Sequence, residues 1–157
     1  MAGLGPAELV KLLSGWRLQY RTGVLLLPRE ELGREHLLAA RLGIEAVDLR
    51  AWALERLQPD QRILDLTWSK LSWEYLQAIA EAPLPGRCIL VSNVDLLVAA
   101  LRIEQRREYW RYLRGTLRPE RGLLLSVPEG TDHILPPDER QQWEVLGRLA
   151  IWSGDAV

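Results

Sequence analysis

Two kinds of apolar pattern alternate along the chain. "GVLLLP" (23–28), "RCILVS" (87–92) and "GLLLSV" (122–127) are short runs with no polar face. That is the pattern of strands covered on both sides, as in a parallel sheet. "IEAVDL" (44–49) and "RLAIWS" (148–153) predict two more strands, and "RILDL" (62–66) predicts either a short strand or a turn. Between these runs, apolar residues recur at spacings of three and four. "PAELVKLLSGW" (6–16) places Pro6 where a helix tolerates it and Leu9, Leu12, Leu13 and Trp16 on one side. "GREHLLAARLG" predicts a short helix closed by Gly43, and "RAWALERLQ" one stopped by Pro59. Residues 68–82 set Trp68, Leu71, Tyr75 and Ile79 on one helical face. "DLLVAALRIEQRREYWRYLRGTLR" (95–118) predicts a long helix with a break near Gly115. "PEGTDHILPPDE" reads as a loop and "RQQWEVLG" as a last helix.

Strands that alternate with helices, each strand a continuous apolar run, predict a three-layer α/β fold. A mostly parallel sheet lies between helices, joined by right-handed crossovers. At 157 residues the chain fits a single domain with a sizeable core.

Composition narrows the function classes. A net charge of −1 gives no global attraction to nucleic acid or membrane, so such binding needs a local patch. Cys88 is the only cysteine, which excludes an internal disulfide and a cysteine zinc cluster. The two histidines, His36 and His133, are far apart in sequence and give a metal site little to build on. No apolar run has the length of a membrane span, and the N-terminus lacks a signal-peptide pattern, so a cytoplasmic location is expected.

The stretch "VLLLPREELGREHLL" (24–38) has the layout of a phosphate-binding P-loop: apolar run, polar loop, helix. Pro28, four residues and Gly33-Arg34-Glu35 match the P-loop spacing of Gly, four residues and Gly-Lys-Ser/Thr. The chemistry differs. A P-loop holds phosphate with a nest of backbone N–H groups and a helix N-terminus. Pro28 has no N–H, and Glu30 and Glu31 place negative charge where phosphate would lie. Arg34 keeps a positive charge as a wide planar fork, and Glu35 replaces the magnesium-binding hydroxyl. The alternative reading is an ordinary turn with acids at a helix start.

The exit of the third strong run reads "ILVSNVDLL" (89–97). Its place matches the Walker B motif of additional-strand P-loop proteins, including the AAA-type ATPases, where four apolar residues lead to a magnesium-holding acid. Here Ser92 stands in the acid's place, followed by Asn93 and Asp95. With its short leading helix, the chain resembles the small BrxF-like P-loop proteins of bacterial BREX phage-defence systems over about residues 8–130. Their Walker B region runs from apolar residues into Asp-Asn, an apolar residue, an acid and two apolar residues; here Ser replaces the Asp. Degenerate clamp-loader subunits are a second group with a similar layout. The resemblance implies that Ser126, near the end of "GLLLSV", faces the phosphates as a sensor-type polar residue. It also implies a bacterial multi-subunit context, that of phage defence. With both nucleotide motifs degenerate, the anchors that phosphoryl transfer needs are missing.

A second candidate lies in the long helix. Arg107, Arg111, Arg114 and Arg118 recur at helical spacing beside Ile103, Trp110, Leu113 and Leu117. Such a stripe suits a phosphate backbone or an acidic protein, or forms a solvated face paired with Glu104 and Glu108. Trp52, Trp68, Trp73, Trp110, Trp143 and Trp152 lie in or beside predicted elements, and Trp73 falls off its helix's apolar face. Catalytic alternatives are thin: Ser14 and Ser126 lack a nucleophile-elbow setting, Asp132 and His133 share a loop, and Asp65 and Asp95 lie in separate motifs.

The sequence therefore predicts a non-catalytic, P-loop-like subunit of a larger complex. It would need no cofactor and bind protein partners through the Arg107–Arg118 face. The alternatives are an ATP- and magnesium-using P-loop protein in which Arg34 and Asp95 replace the missing ligands, and a small nucleic-acid-binding adaptor.

Overall fold

The computed structural model describes residues 4–57, 60 and 67–153. Five strands form one sheet in the order β2-β3-β4-β1-β5: β1 Thr22–Leu27, β2 Glu45–Asp48, β3 Cys88–Ser92, β4 Gly122–Pro128 and β5 Leu149–Ile151. All four pairings are parallel, with Val24 opposite both Leu125 and Leu149, Leu90 opposite Leu124, and Ala46 opposite Leu90. The β4 strand thus separates β1 from β3. "RILDL" and Asp65 lie outside the described residues.

The three layers follow from the two-residue period of each strand. Val24 and Leu26 of β1 point to the same side as Ile89, Val91, Leu123 and Leu125. On that side lie α3 (Leu49–Glu55), α4 (Gln77–Glu81), α5 (Val94–Val98), α6 (Ile103–Gly115) and α7 (Pro137–Val145). Leu25, Leu27, Cys88, Leu90 and Leu124 point the other way, onto α1 (Pro6–Ser14) and α2 (Glu35–Leu42). Both faces of β1, β3 and β4 are dry, which is why these strands carry no alternation of polar residues.

Two glycines let α1 lie close to the sheet. A Cβ on Gly122 would fall 2.5 Å from the Leu13 carbonyl oxygen, and one on Gly23 would fall 3.0 Å from a Leu13 methyl. At the far end of α2, Gly43 takes φ +72°, and the amide of Ile44 donates to Ala39 O at 3.0 Å. That αL closure satisfies carbonyls that the helix end would leave orphaned.

Four helix predictions need correction. The helix of "PAELVKLLSGW" stops at Ser14, so Trp16 lies beyond it and is 76% exposed. The segment ahead of α4 winds as a wide π-helix over Lys70–Leu76. There the buried Ser72 hydroxyl donates to the Trp68 and Ser69 carbonyls, and such back-bonding competes with the regular ladder. The long helix of 95–118 is two helices, broken between Val98 and Ile103 rather than only at Gly115. Arg106 stabilises the break by donating to the Leu101 and Ala99 carbonyls left over from the end of α5, and it also reaches His133 O. Finally, α7 starts at Pro137, with proline in the first turn, earlier than the apolar spacing predicts. No helix among the described residues is long and apolar enough to cross a membrane.

Candidate functional site

Because every strand runs the same way, the exits of β1, β2, β3 and β4 share one edge of the sheet. Ligand sites of open parallel sheets form at this carboxyl edge. The P-loop-like segment lies there, and its geometry differs from a phosphate cradle. Pro28 is extended, and Arg29–Glu31 form a 3-10 turn. The amides of Glu31, Leu32 and Arg34 donate to the carbonyls of Pro28, Arg29 and Glu31 at 3.0, 3.2 and 3.1 Å. A nest needs those N–H groups to converge on an anion, whereas here the loop's own carbonyls take them.

Gly33 keeps the position that the spacing predicts. Its φ of +85° is the left-handed conformation that favours glycine, and a Cβ there would meet no atom within 4 Å. The residue is therefore required by the backbone turn into α2 and not by close approach to a neighbour. Arg34 is the N-cap of α2 and pairs with Glu31 at 3.9 Å. Such a long, half-exposed pair contributes less than about 1 kcal/mol. The backbone bonds of the turn hold the loop, and the ion pair decides mainly where the charges sit. One Glu31 carboxylate oxygen is buried and accepts no hydrogen bond.

Beside the loop, Gly33, Glu35, His36, Ala46, Asp48, Ser92 and Asn93 line a cleft of about 390 Å³. Ser92 ends β3 directly opposite Asp48 of β2. Asn93 turns the chain into α5 at φ +59°, a left-handed conformation that asparagine tolerates. Asp95 follows in the first turn of α5. Burial raises its pKa above the ordinary carboxylate range; its own amide and that of Leu96 oppose this, and nearby Glu35 adds to the rise. The structure thus brings Gly33, Glu35, Ser92 and Asn93 to one cleft, with Asp95 beside it. Of the cleft's ionisable side chains, Glu35 and Asp48 are acids and His36 is the one basic group.

Ser126, expected to face the phosphates, is 3% exposed. It lies within β4, two residues before the strand ends, and its hydroxyl donates to Val91 O at 3.3 Å. It ties β4 to β3 inside the sheet and does not face the edge. Asp48 was not singled out by sequence. Its carboxylate caps α3 by accepting from the amides of Arg50 and Ala51 at 2.9 and 3.2 Å. The signal was an Asp where an apolar run passes into a helical pattern.

The arginine stripe of α6 is partly tied to acids of α6 and α7. Arg107 pairs with Asp138 of α7 and holds that carboxylate below its usual pKa through a hydrogen bond. Arg114 makes two bonds, of 3.1 and 2.9 Å, to Glu139, which is 4% exposed. Arg111 pairs with Glu108 of its own helix at 3.5 Å. Arg118 lies past the end of α6, with its guanidinium 5.5 Å from the Tyr20 ring centre. Trp110 is fully buried, and its indole N–H donates to Ile134 O at 2.7 Å. Trp110 and Arg114 seal α6 against α7 and the loop before it, which removes Trp110 from any partner face, while Arg107, Arg111 and Arg118 stay partly or fully exposed. Ile103, expected beside the buried Trp110, Leu113 and Leu117, is exposed in the first turn of α6. Of the tryptophans, Trp143 and Trp152 are buried, Trp52 and Trp68 are half-buried, and Trp73 is exposed, off its helix's apolar face.

The remaining nucleophile and acid–base candidates have other occupations. The Ser14 hydroxyl donates to Val10 O at 2.7 Å. Cys88 is buried in β3, and burial pushes its thiol up to about 12, which keeps it protonated and inert. Asp132 and His133 are exposed in the loop after β4. Among the described residues, no three His, Cys, Asp or Glu side chains come together as a metal site. No family model matches the chain, and no curated protein matches it.

Proposed function

We propose that this protein is a catalytically silent, P-loop-like subunit of a larger complex that works by contacting protein partners. The observation that carries the proposal is the closed loop. Three of its amides serve its own carbonyls, and Glu31 reaches Arg34, the one residue at the P-loop lysine position. A triphosphate would have to unwind the 3-10 turn and displace a carboxylate from its cation. It would then meet Glu35 and Asp95, which repel it. The strand order supports descent from the additional-strand P-loop group, because β4 lies between the loop-bearing strand and the strand in the Walker B place. The resemblance to BrxF-like proteins supplies phage defence as the context. Trp73, 64% exposed, suits a protein interface.

Calorimetric titration with ATP and magnesium tests the reading. The expected result is no heat of binding and no turnover. Micromolar binding, or ATPase activity lost in Arg34→Ala, would replace it with the rival reading in which Arg34 and Asp95 act as nucleotide and metal ligands.

A further inference from the structure

The opposite edge of the sheet, where the strands begin, carries features that the nucleotide reading does not use. Trp16 stands there 76% exposed, just past the end of α1. The guanidinium of Arg21 lies 5.1 Å from its ring centre and that of Arg87 lies 5.6 Å away. Arg118 lies 5.5 Å from the ring centre of half-buried Tyr20. Arg21 ties these pieces together by donating to the carbonyls of Leu13, Glu120 and Arg87. That brings the end of α1 and the starts of β3 and β4 to one place.

Several arginines of this edge lie beside aromatic rings and have no carboxylate partner, a lack that Arg29 and Arg50 share at the other edge. Arg34, Arg56, Arg102, Arg107, Arg111, Arg114 and Arg140 each have a carboxylate partner. Among the described residues Arg17, Arg87, Arg118 and Arg121 have none, and one Arg121 nitrogen is buried without a hydrogen-bond partner. The neighbouring acid is Glu120, whose backbone carbonyl accepts from Arg21 and whose exposed carboxylate is outnumbered by the arginines. Unpaired arginines beside open aromatic rings are the two components of a single-stranded nucleic-acid surface, cations for phosphates and a ring face for a base. An acidic peptide would use only the cations. A duplex hides its base faces, which would leave Trp16 idle.

We propose that this edge, built on Trp16, Arg17, Tyr20, Arg87, Arg118 and Arg121, binds single-stranded nucleic acid. A base stacks on Trp16 and the backbone follows the unpaired arginines. The surface lies across the sheet from the P-loop-like segment, so it stands or falls independently of nucleotide binding.

Fluorescence anisotropy of a labelled oligo-dT of about a dozen nucleotides tests it. The expected result is binding that weakens steeply with salt, by about tenfold in Trp16→Ala, and by more in Arg17→Glu/Arg87→Glu. Arg102→Glu, an exposed cation at the start of α6, should bind as the parent does. These positions are exposed, and far-UV circular dichroism with an unfolding curve confirms that each variant is folded. The proposal is overturned by absent or salt-insensitive binding, by affinity unchanged in Trp16→Ala, or by poly-glutamate competing as well as unlabelled oligo-dT.

Discussion

The two edges of the sheet handle charge in opposite ways. Where the strands begin, Arg148 is 4% exposed, and it donates to the carbonyls of Thr22, Arg114 and Leu113 and to the Thr22 hydroxyl. It also lies 4.7 Å from the Trp143 ring centre. Its donors meet the C-terminal turn of α6, where orphan carbonyls and the helix dipole favour a cation. Arg21 does the same for α1 through Leu13 O. Burial lowers the pKa of both, that of Arg148 to about 10, which still leaves it charged at neutral pH. Where the strands end, no cation among the described residues is buried, and the carboxylates Glu31, Glu35, Asp48 and Asp95 share the edge with exposed Arg29, Arg34 and Arg50. The first edge is fastened, and the second is closed only by a short turn. A parallel sheet can therefore keep its stability at one edge and leave the other free to change.

Substitutions test this contrast most sharply at the fastened edge. Arg148→Met should cost about 3–5 kcal/mol in urea unfolding, because buried carbonyls and the Thr22 hydroxyl lose their donor. Arg34→Met at the other edge should stay within about 0.5 kcal/mol. Equal losses would dissolve the distinction. Next in size is Gly122→Ala, which should cost about 1–3 kcal/mol by pushing α1 off the sheet, also read from the urea midpoint. Its counterpart Gly33→Ala has open space and should cost only the left-handed backbone penalty, about 1 kcal/mol.

The smallest effect has the opposite sign. Because the folded-state pKa of Asp95 is raised, its contribution to stability is fully present below the unfolded carboxylate value and is lost as pH rises through the folded one. Asp95→Asn should therefore give a slightly higher Tm than the parent at neutral pH. That advantage should vanish in acid, as differential scanning calorimetry across pH 3–7 would read. A variant less stable than the parent at neutral pH would mean that Asp95 is held by partners and that the open edge is fastened after all.

The β1, β3 and β4 strands were legible in the sequence because double burial leaves a short, almost wholly apolar run. Which side chain faces which layer was not legible, since a run apolar on both faces carries no period. Spacing placed Gly33 at a turn, but it cannot say where amides point, and the 3-10 turn decides that. The acid partners of the α6 arginine stripe were not legible for a related reason. A row of cations at helical spacing looks the same whether it meets solvent or α7, and Asp138 and Glu139 lie far along the chain. Trp16 was assigned to a buried face because the pattern continues one turn past the point where the helix stops.

The same topology sets an order on how the chain can fold. No two adjacent strands in this sheet are neighbours in sequence apart from β2 with β3 and β3 with β4. The β1 strand pairs only with β4 and β5, and the Arg148 clamp on Thr22 spans 126 residues. Loops of that length must close before any of those contacts repay the entropy lost, which slows folding. During synthesis the most apolar strand emerges early and waits for its partners, so "GVLLL" is the segment that most needs shielding from other chains until the last strand is made.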